Sequence, residues 1–169
     1  MRKALWTSIA LIFVWPCGAW SAAEPLELKV KDEVLLAKAM EGGMTLTLPE
    51  FLVFTRSGTA IFHDKGFDST FTNDLERAMH SSTPVEARVS MRDLFADVVR
   101  MDGSPTEQGI VAGYDFVFVE YWADWCAPCH QQKRAVAQYL AENPGKKILW
   151  LYIRRDPTLL PGASAHKSE

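Results

Sequence analysis

The stretch Tyr114-Asp115-Phe116-Val117-Phe118-Val119-Glu120-Tyr121-Trp122, with a cysteine pair just after it, constrains this chain more than any other feature. Nearly every residue in it is apolar or aromatic. Such a run suits a central strand buried on both faces, as in a sheet covered by helices on either side. The segment 126–142 then reads as a helix, with Pro128 in its first turn and Asn143-Pro144-Gly145 ending it. Residues 147–153 form a second buried strand. Strand, helix and strand in succession predict an α/β fold.

Cys126 and Cys129 are separated by two residues at the start of that helix. The spacing lets the two sulfurs close a small ring. A helix N-terminus favours a thiolate, so the first cysteine is expected to ionise below the usual pKa of about 8.5. On this reading Cys126 is the outer, attacking sulfur, and Cys129, a turn deeper, resolves a mixed disulfide.

Composition narrows the alternatives. With 169 residues, 48% hydrophobic and 23% charged, the chain is long enough for one globular domain with a real core. The net charge is −3, and the Lys and Arg residues do not cluster, so no nucleic-acid partner is expected. Three cysteines are too few for a disulfide-rich scaffold.

The N-terminus reads as an address. Met1-Arg2-Lys3 is a short positive start, and residues 4–15 are an apolar run shorter than the roughly 20 residues of a spanning helix. Ser21-Ala22-Ala23 places small residues at both cleavage-determining positions. A secretory signal over residues 1–23, cut after Ala23, is expected; a retained membrane anchor is the alternative. A lipid anchor on Cys17 fits poorly, because bulky Val14-Trp15-Pro16 precedes it. Cleavage leaves Cys126 and Cys129 as the only cysteines. The expected compartment is oxidising, a bacterial periplasm.

Along the rest of the chain, 32–40 reads as a short helix closed by Gly42-Gly43. Residues 45–55 form a strand interrupted early by Pro49, and 59–63 its hairpin partner after Ser57-Gly58. A helix is expected over 73–80, with Asn73 and Glu76 as a capping pair. A short strand follows at 85–89, then a helix over 91–100 and a polar loop over 101–113. Residues 158–169 are expected to be a flexible tail.

Tyr121-Trp122-Ala123-Asp124-Trp125-Cys126-Ala127-Pro128-Cys129 resembles the active site of the thioredoxin superfamily, whose pattern is aromatic-Trp-Ala-x-Trp-Cys-x-Pro-Cys. All seven specified positions of this nine-residue pattern agree, with a strand before and a helix after. The resemblance implies a thiol–disulfide oxidoreductase that needs no cofactor and no metal. It implies a buried acid six residues before the first cysteine. Glu120 stands there in place of the usual Asp, either as a proton relay or as an acid facing a side pocket. Trp125, Ala127, Pro128 and a cis-proline would form the rim that holds the substrate chain.

The chain departs from the family in its order. A thioredoxin continues past the strand that follows its active-site helix, but few residues follow Ile153. The missing half resembles the front of this chain. Residues 36–40 resemble the family's next helix, Leu48-Pro49 its cis-proline, and 50–54 the strand after it. Arg56-Ser57-Gly58 then resembles the hairpin turn, 59–67 the edge strand and 73–80 the last helix. Met91 onward resembles the opening helix. The expected fold is therefore a thioredoxin-like α/β domain over 24–157, a mixed sheet flanked by helices and circularly permuted. Its cis-proline and hairpin half would span 24–83, and its two-cysteine half 84–157. The alternative is a truncated thioredoxin half behind an unrelated extension. Permutation is cheap where surface termini lie close together.

Three other readings of the same residues remain open. Cys126-Ala127-Pro128-Cys129-His130 matches the c-type haem attachment pattern, although no methionine follows and the only later histidine is His166. Cys126, Cys129 and His130 could serve a metal-handling role. A non-catalytic interaction module is the third, and an aromatic Trp125 beside the sulfur argues against it. Ala-Pro between the cysteines resembles reducing family members more than strongly oxidising ones. The resemblance thus implies a periplasmic reductase of protein disulfides, acting on exported dithiol or disulfide substrates and fed by a membrane-borne electron donor.

Overall fold

The computed structural model describes residues 24–40 and 47–155. The expected signal, residues 41–46 and residues 156–169 lie outside the described part. Ten helices and strands, with one 3-10 turn, follow the order β1 (Leu26–Val30), α1 (Asp32–Met40), β2 (Glu50–Thr55), β3 (Ala60–Lys65), α2 (Phe71–Ser81), α3 (Met91–Asp97), β4 (Val98–Arg100), a 3-10 turn (Gln108–Gly113), β5 (Phe116–Trp122), α4 (Ala127–Glu142) and β6 (Ile148–Arg154). The fold is α/β: one six-stranded mixed sheet in the order β3-β2-β5-β6-β1-β4. β5, β6 and β1 run parallel, whereas β2, β3 and β4 each pair antiparallel with their neighbours.

Alternation along the strands sorts side chains to two cores. Val117, Val119 and Tyr121 of β5 join Leu52, Phe54, Leu151 and Leu28 beneath α3 and Leu35 of α1. Phe118 faces the other way, with Phe51, Val53 and Trp150, and meets Phe71 and Leu75 of α2 and Val136 and Tyr139 of α4. Covering both faces is what allows β5 to be apolar at almost every position. Phe51 is the hinge of an aromatic cluster, edge-on to Phe71 at 5.1 Å and to Phe118 at 5.4 Å. Such pairs each add about 0.5–1.5 kcal/mol beyond their buried area.

The expected hairpin is present. Thr55 and Gly58 close its turn, Gly58 adopting φ +85°, a region open to glycine at no steric cost. Other boundaries differ from expectation. β1 was not anticipated: Leu-Glu-Leu-Lys-Val is short and half polar, and pairing with β6 and β4 on either side makes it a strand. The helix expected over 91–100 ends at Asp97, since β-branched Val98 and Val99 pair with Val30 and Lys29. Residues 85–89 form no strand; the Val85 N–H merely donates to the Ala60 carbonyl at 2.9 Å. β2 begins at Glu50, after the proline.

Helix α2 starts two residues before the expected cap. Asp68 accepts from the Thr70 backbone and hydroxyl, and the Thr70 hydroxyl also reaches Asp74. Asn73 lies inside the helix. Glu76 does not cap; it accepts from the Tyr139 hydroxyl at 2.6 Å and from Lys146 at 3.1 Å, tying α2 to α4 and the loop after it.

Candidate functional site: a disulfide at the head of helix α4

Cys126 and Cys129 are joined by a disulfide, with Cα atoms 5.3 Å apart. Cys126 is the N-cap of α4, in extended backbone geometry, and its Sγ accepts the Cys129 N–H at 3.2 Å. Pro128 sits in the first turn, where its missing N–H leaves no gap in the helix. The helix N-terminus therefore faces the Cys126 sulfur, and its partial positive charge favours a thiolate there once the pair is reduced.

Both cysteines are buried, Cys129 completely and Cys126 to within 3%. They pack with Ala123, flanked by Leu48 and Trp122. Around this buried bond the surface is open. Trp125 is 57% exposed, and Ala127 and Pro128 are exposed beside it. The expected rim residues of α4 and of the loop before it thus surround the disulfide.

The Leu48–Pro49 peptide is cis, as expected from the sequence. Leu48 spans two environments, packing on the disulfide cluster and on the larger core under α3. Pro49 is buried, and its carbonyl accepts the Gly66 N–H at 2.8 Å. β2 leads directly from this proline and pairs with β5, Glu50 opposite Tyr121. The segment carrying Pro49 and the strand leading to Cys126 therefore meet at one end of the sheet.

Glu120 is fully buried in β5. It shares its face of the strand with Phe118 and Trp122, two residues to either side, which places it on the sheet face that α4 covers. One carboxylate oxygen accepts the Trp150 indole N–H at 3.2 Å; the other has no partner among the described residues. Burial pushes its pKa up to about 8, against small opposing effects from the Trp150 bond and the Lys133 charge. A carboxyl in this setting holds its proton at neutral pH and can exchange it near pH 8.

Several neighbours were not singled out from the sequence. Gln132 lies one turn after Cys129 on the buried side of α4, its side chain reaching the Gly66 carbonyl at 3.5 Å while its own carbonyl oxygen has no partner among the described residues. The i, i+3 spacing from Cys129 is the signal that could have found it. Trp122 stacks on Tyr152 at 4.6 Å, with Lys133 over the far ring at 4.2 Å. Arg154 is ion-paired to Asp124, next to Trp125. Arg155 donates its N–H to the Trp122 carbonyl at 2.7 Å and its guanidinium to Glu50 at 3.4 Å, stitching the end of β6 to the proline segment.

His130 is exposed, within 3.2 Å of the Asp124 carbonyl through Nε2. No group of three or more His, Cys, Asp or Glu side chains among the described residues is arranged to hold a metal ion. Among the described residues no helix is long and apolar enough to cross a membrane. Compared with known proteins, the chain matches no family model, no curated protein and no solved structure.

Proposed function

We propose that the protein is a thiol–disulfide oxidoreductase working through Cys126 and Cys129. The observation that carries this reading is the disulfide itself: a two-residue loop at a helix N-terminus, ringed by an exposed tryptophan and proline, with a protonatable buried carboxyl beneath the same helix. A purely structural disulfide needs neither the open rim nor the buried acid.

In the reducing direction, the Cys126 thiolate attacks one sulfur of a substrate disulfide. A Cys126–substrate bond forms, the substrate S–S bond breaks, and the departing substrate sulfur takes up a proton. Glu120 in its ionised form, which becomes populated as pH nears 8, accepts the proton of the Cys129 thiol. The Cys129 thiolate then attacks Cys126 Sγ, the mixed disulfide breaks, and the second substrate sulfur leaves and takes up the proton that Glu120 releases. The substrate gains two electrons and two protons, and the pair ends oxidised. A dithiol donor restores the reduced pair by the same exchange in reverse. Trp125, Ala127 and Pro128 supply the exposed surface on which the substrate chain lies, and the buried Pro49 stands at the head of β2 beside it.

The thioredoxin-like, circularly permuted architecture is part of the proposal. Its support is the order of parts: a cis-proline, an antiparallel hairpin and a helix come first, and strand, cysteine helix and strand come after. β2 lies beside β5, so the two halves share one sheet despite their separation in the chain. The periplasmic setting and the membrane-borne donor rest on the leader sequence and on the need to keep a reductase reduced in an oxidising compartment.

The test is a trapping experiment. Cys129→Ser should accumulate mixed disulfides with substrate proteins, and Cys126→Ser should abolish turnover and trapping. Turnover retained by both variants overturns the proposal.

A further inference from the structure

A second recess opens at the same end of the sheet, on the face opposite α4. Its volume is about 220 Å³, and it is lined by four cations, Lys38, Lys65, Arg88 and Arg155, and two carboxylates, Glu50 and Asp97. Tyr121 lies at its base, next to Glu50 in the ladder, with Lys65 on the strand beyond.

The two carboxylates are already occupied. Glu50 faces His63 at 2.9 Å, Arg155 at 3.4 Å and Lys65 at 3.8 Å, and Asp97 faces Lys38 at 3.6 Å. Arg88 lines the recess from the segment between α2 and α3, and makes no ion pair or hydrogen bond to a described residue. The recess thus carries an excess of positive charge in a chain whose net charge is −3. Its volume is below the roughly 300–1,000 Å³ of cavities that hold a whole small-molecule ligand. It suits the tip of a side chain with a few waters, each taking about 30 Å³.

Position decides what brings that tip. Thr47 and Glu50 line the recess and bracket Leu48–Pro49. Leu48, between them, packs against the cluster of Ala123, Cys126 and Cys129. Arg155, in the recess wall, bonds the backbone of Trp122 just before the cysteine loop. The proline segment is therefore a shared wall, and a polypeptide held across it at the disulfide has the recess a few residues away.

We propose that this recess is a specificity subsite that takes an acidic side chain of the partner polypeptide, close in sequence to the cysteine that reacts with Cys126. The inference rests on the oxidoreductase reading and adds to it a substrate class: disulfide-bearing segments with Asp or Glu near the cysteine. Partly exposed pairs of this kind give modest affinity, and their main effect is to select among partners.

The test uses two synthetic peptide disulfides that differ only in carrying Glu or Gln at the positions flanking cysteine. Dithiothreitol serves as the reductant of the enzyme pair. The Glu peptide should show about fivefold higher kcat/KM at low salt, expressed in KM. The ratio should fall toward one in Arg88→Gln/Lys65→Gln and remain near five in Arg77→Gln, which removes an exposed charge from α2. Equal kcat/KM for the two peptides, or a ratio unchanged in the double variant, overturns the subsite. So does an Arg88-dependent rise in Tm with submillimolar inorganic phosphate when the peptides show no difference, since the recess would then belong to a free anion. Titration calorimetry with the same peptides, cysteine replaced by serine, reads the recess without chemistry. Tighter binding of the Glu peptide there, with neither disulfide reduced, would mean that the redox reading fails while the acidic-chain site stands.

Discussion

Glu120 is a fully buried carboxyl whose only hydrogen bond among the described residues comes from the Trp150 indole N–H. Its pKa is raised from 4.5 to about 8 because burial disfavours the charged form. The folded protein thus holds this proton more tightly than the unfolded chain, and stability should fall as pH rises from about 4.5 to about 8. Glu120→Gln keeps an acceptor for the Trp150 N–H and removes the titration. Denaturant unfolding should show the variant gaining on the wild-type protein by roughly 3–5 kcal/mol between pH 4.5 and pH 9. On the proposed mechanism, the same substitution should lower kcat/KM for disulfide reduction at pH 8 by about tenfold to a hundredfold, because the proton acceptor for Cys129 is removed. Alkylation of Cys126 at pH 7 should be almost unaffected. Parallel stability curves for the two proteins would show that Glu120 does not titrate in this range. The position of Glu120, six residues before Cys126, was legible in the sequence; its bond to Trp150 was not, because only the pairing of β5 with β6 brings the two together.

At the scale of elements, patterns confined to one segment could be read and pairings between segments could not. The hairpin of β2 and β3 carries its own turn signal. Gly58 holds φ +85°, and a Cβ there would meet Met91 at an ordinary 3.9 Å. Gly58→Ala should therefore cost about 1 kcal/mol, from backbone conformation alone, seen as a lower urea midpoint with an unchanged slope. A loss of several kcal/mol would mean that the turn contributes to packing as well. Helix α4 was equally legible from Cys126-Ala127-Pro128-Cys129 and Asn143-Pro144-Gly145. The end of α3 was not: the apolar spacing of Leu94, Phe95, Val98 and Val99 fits a helix, but β1 offers Val98 and Val99 a ladder that the local pattern does not reveal. The bond from Tyr139 to Glu76 is a further long-range contact. Tyr139→Phe should destabilise the protein by about 1–2 kcal/mol, as one partner of a part-buried charged hydrogen bond is removed.

For the whole molecule, one sheet with helices on both faces makes the setting of the Cys126–Cys129 disulfide depend on residues from both halves of the chain. β1 extends the sheet beyond β6, and Leu28 is fully buried in it. Leu28→Ala should cost about 2–5 kcal/mol, measured by equilibrium unfolding. A negligible cost would detach β1 from the core. That a buried strand, a cysteine-capped helix and a second strand form one unit could be read from residues 114–153. So could the helix at 32–40, the hairpin after it and the helix that follows the hairpin. Strand order, the placement of β1 and β4, and the recess beside Pro49 required the folded chain, because each arises from contacts between segments far apart in sequence. The most direct test of the central claim is the reduction potential of the Cys126–Cys129 pair, by equilibration in glutathione and dithiothreitol buffers with thiol alkylation. A reversible two-electron couple near about −270 mV is the expected result for a reductase. A pair that stays oxidised well below about −300 mV would be a structural disulfide and would contradict the account, while a value near about −120 mV would reverse the direction of electron flow.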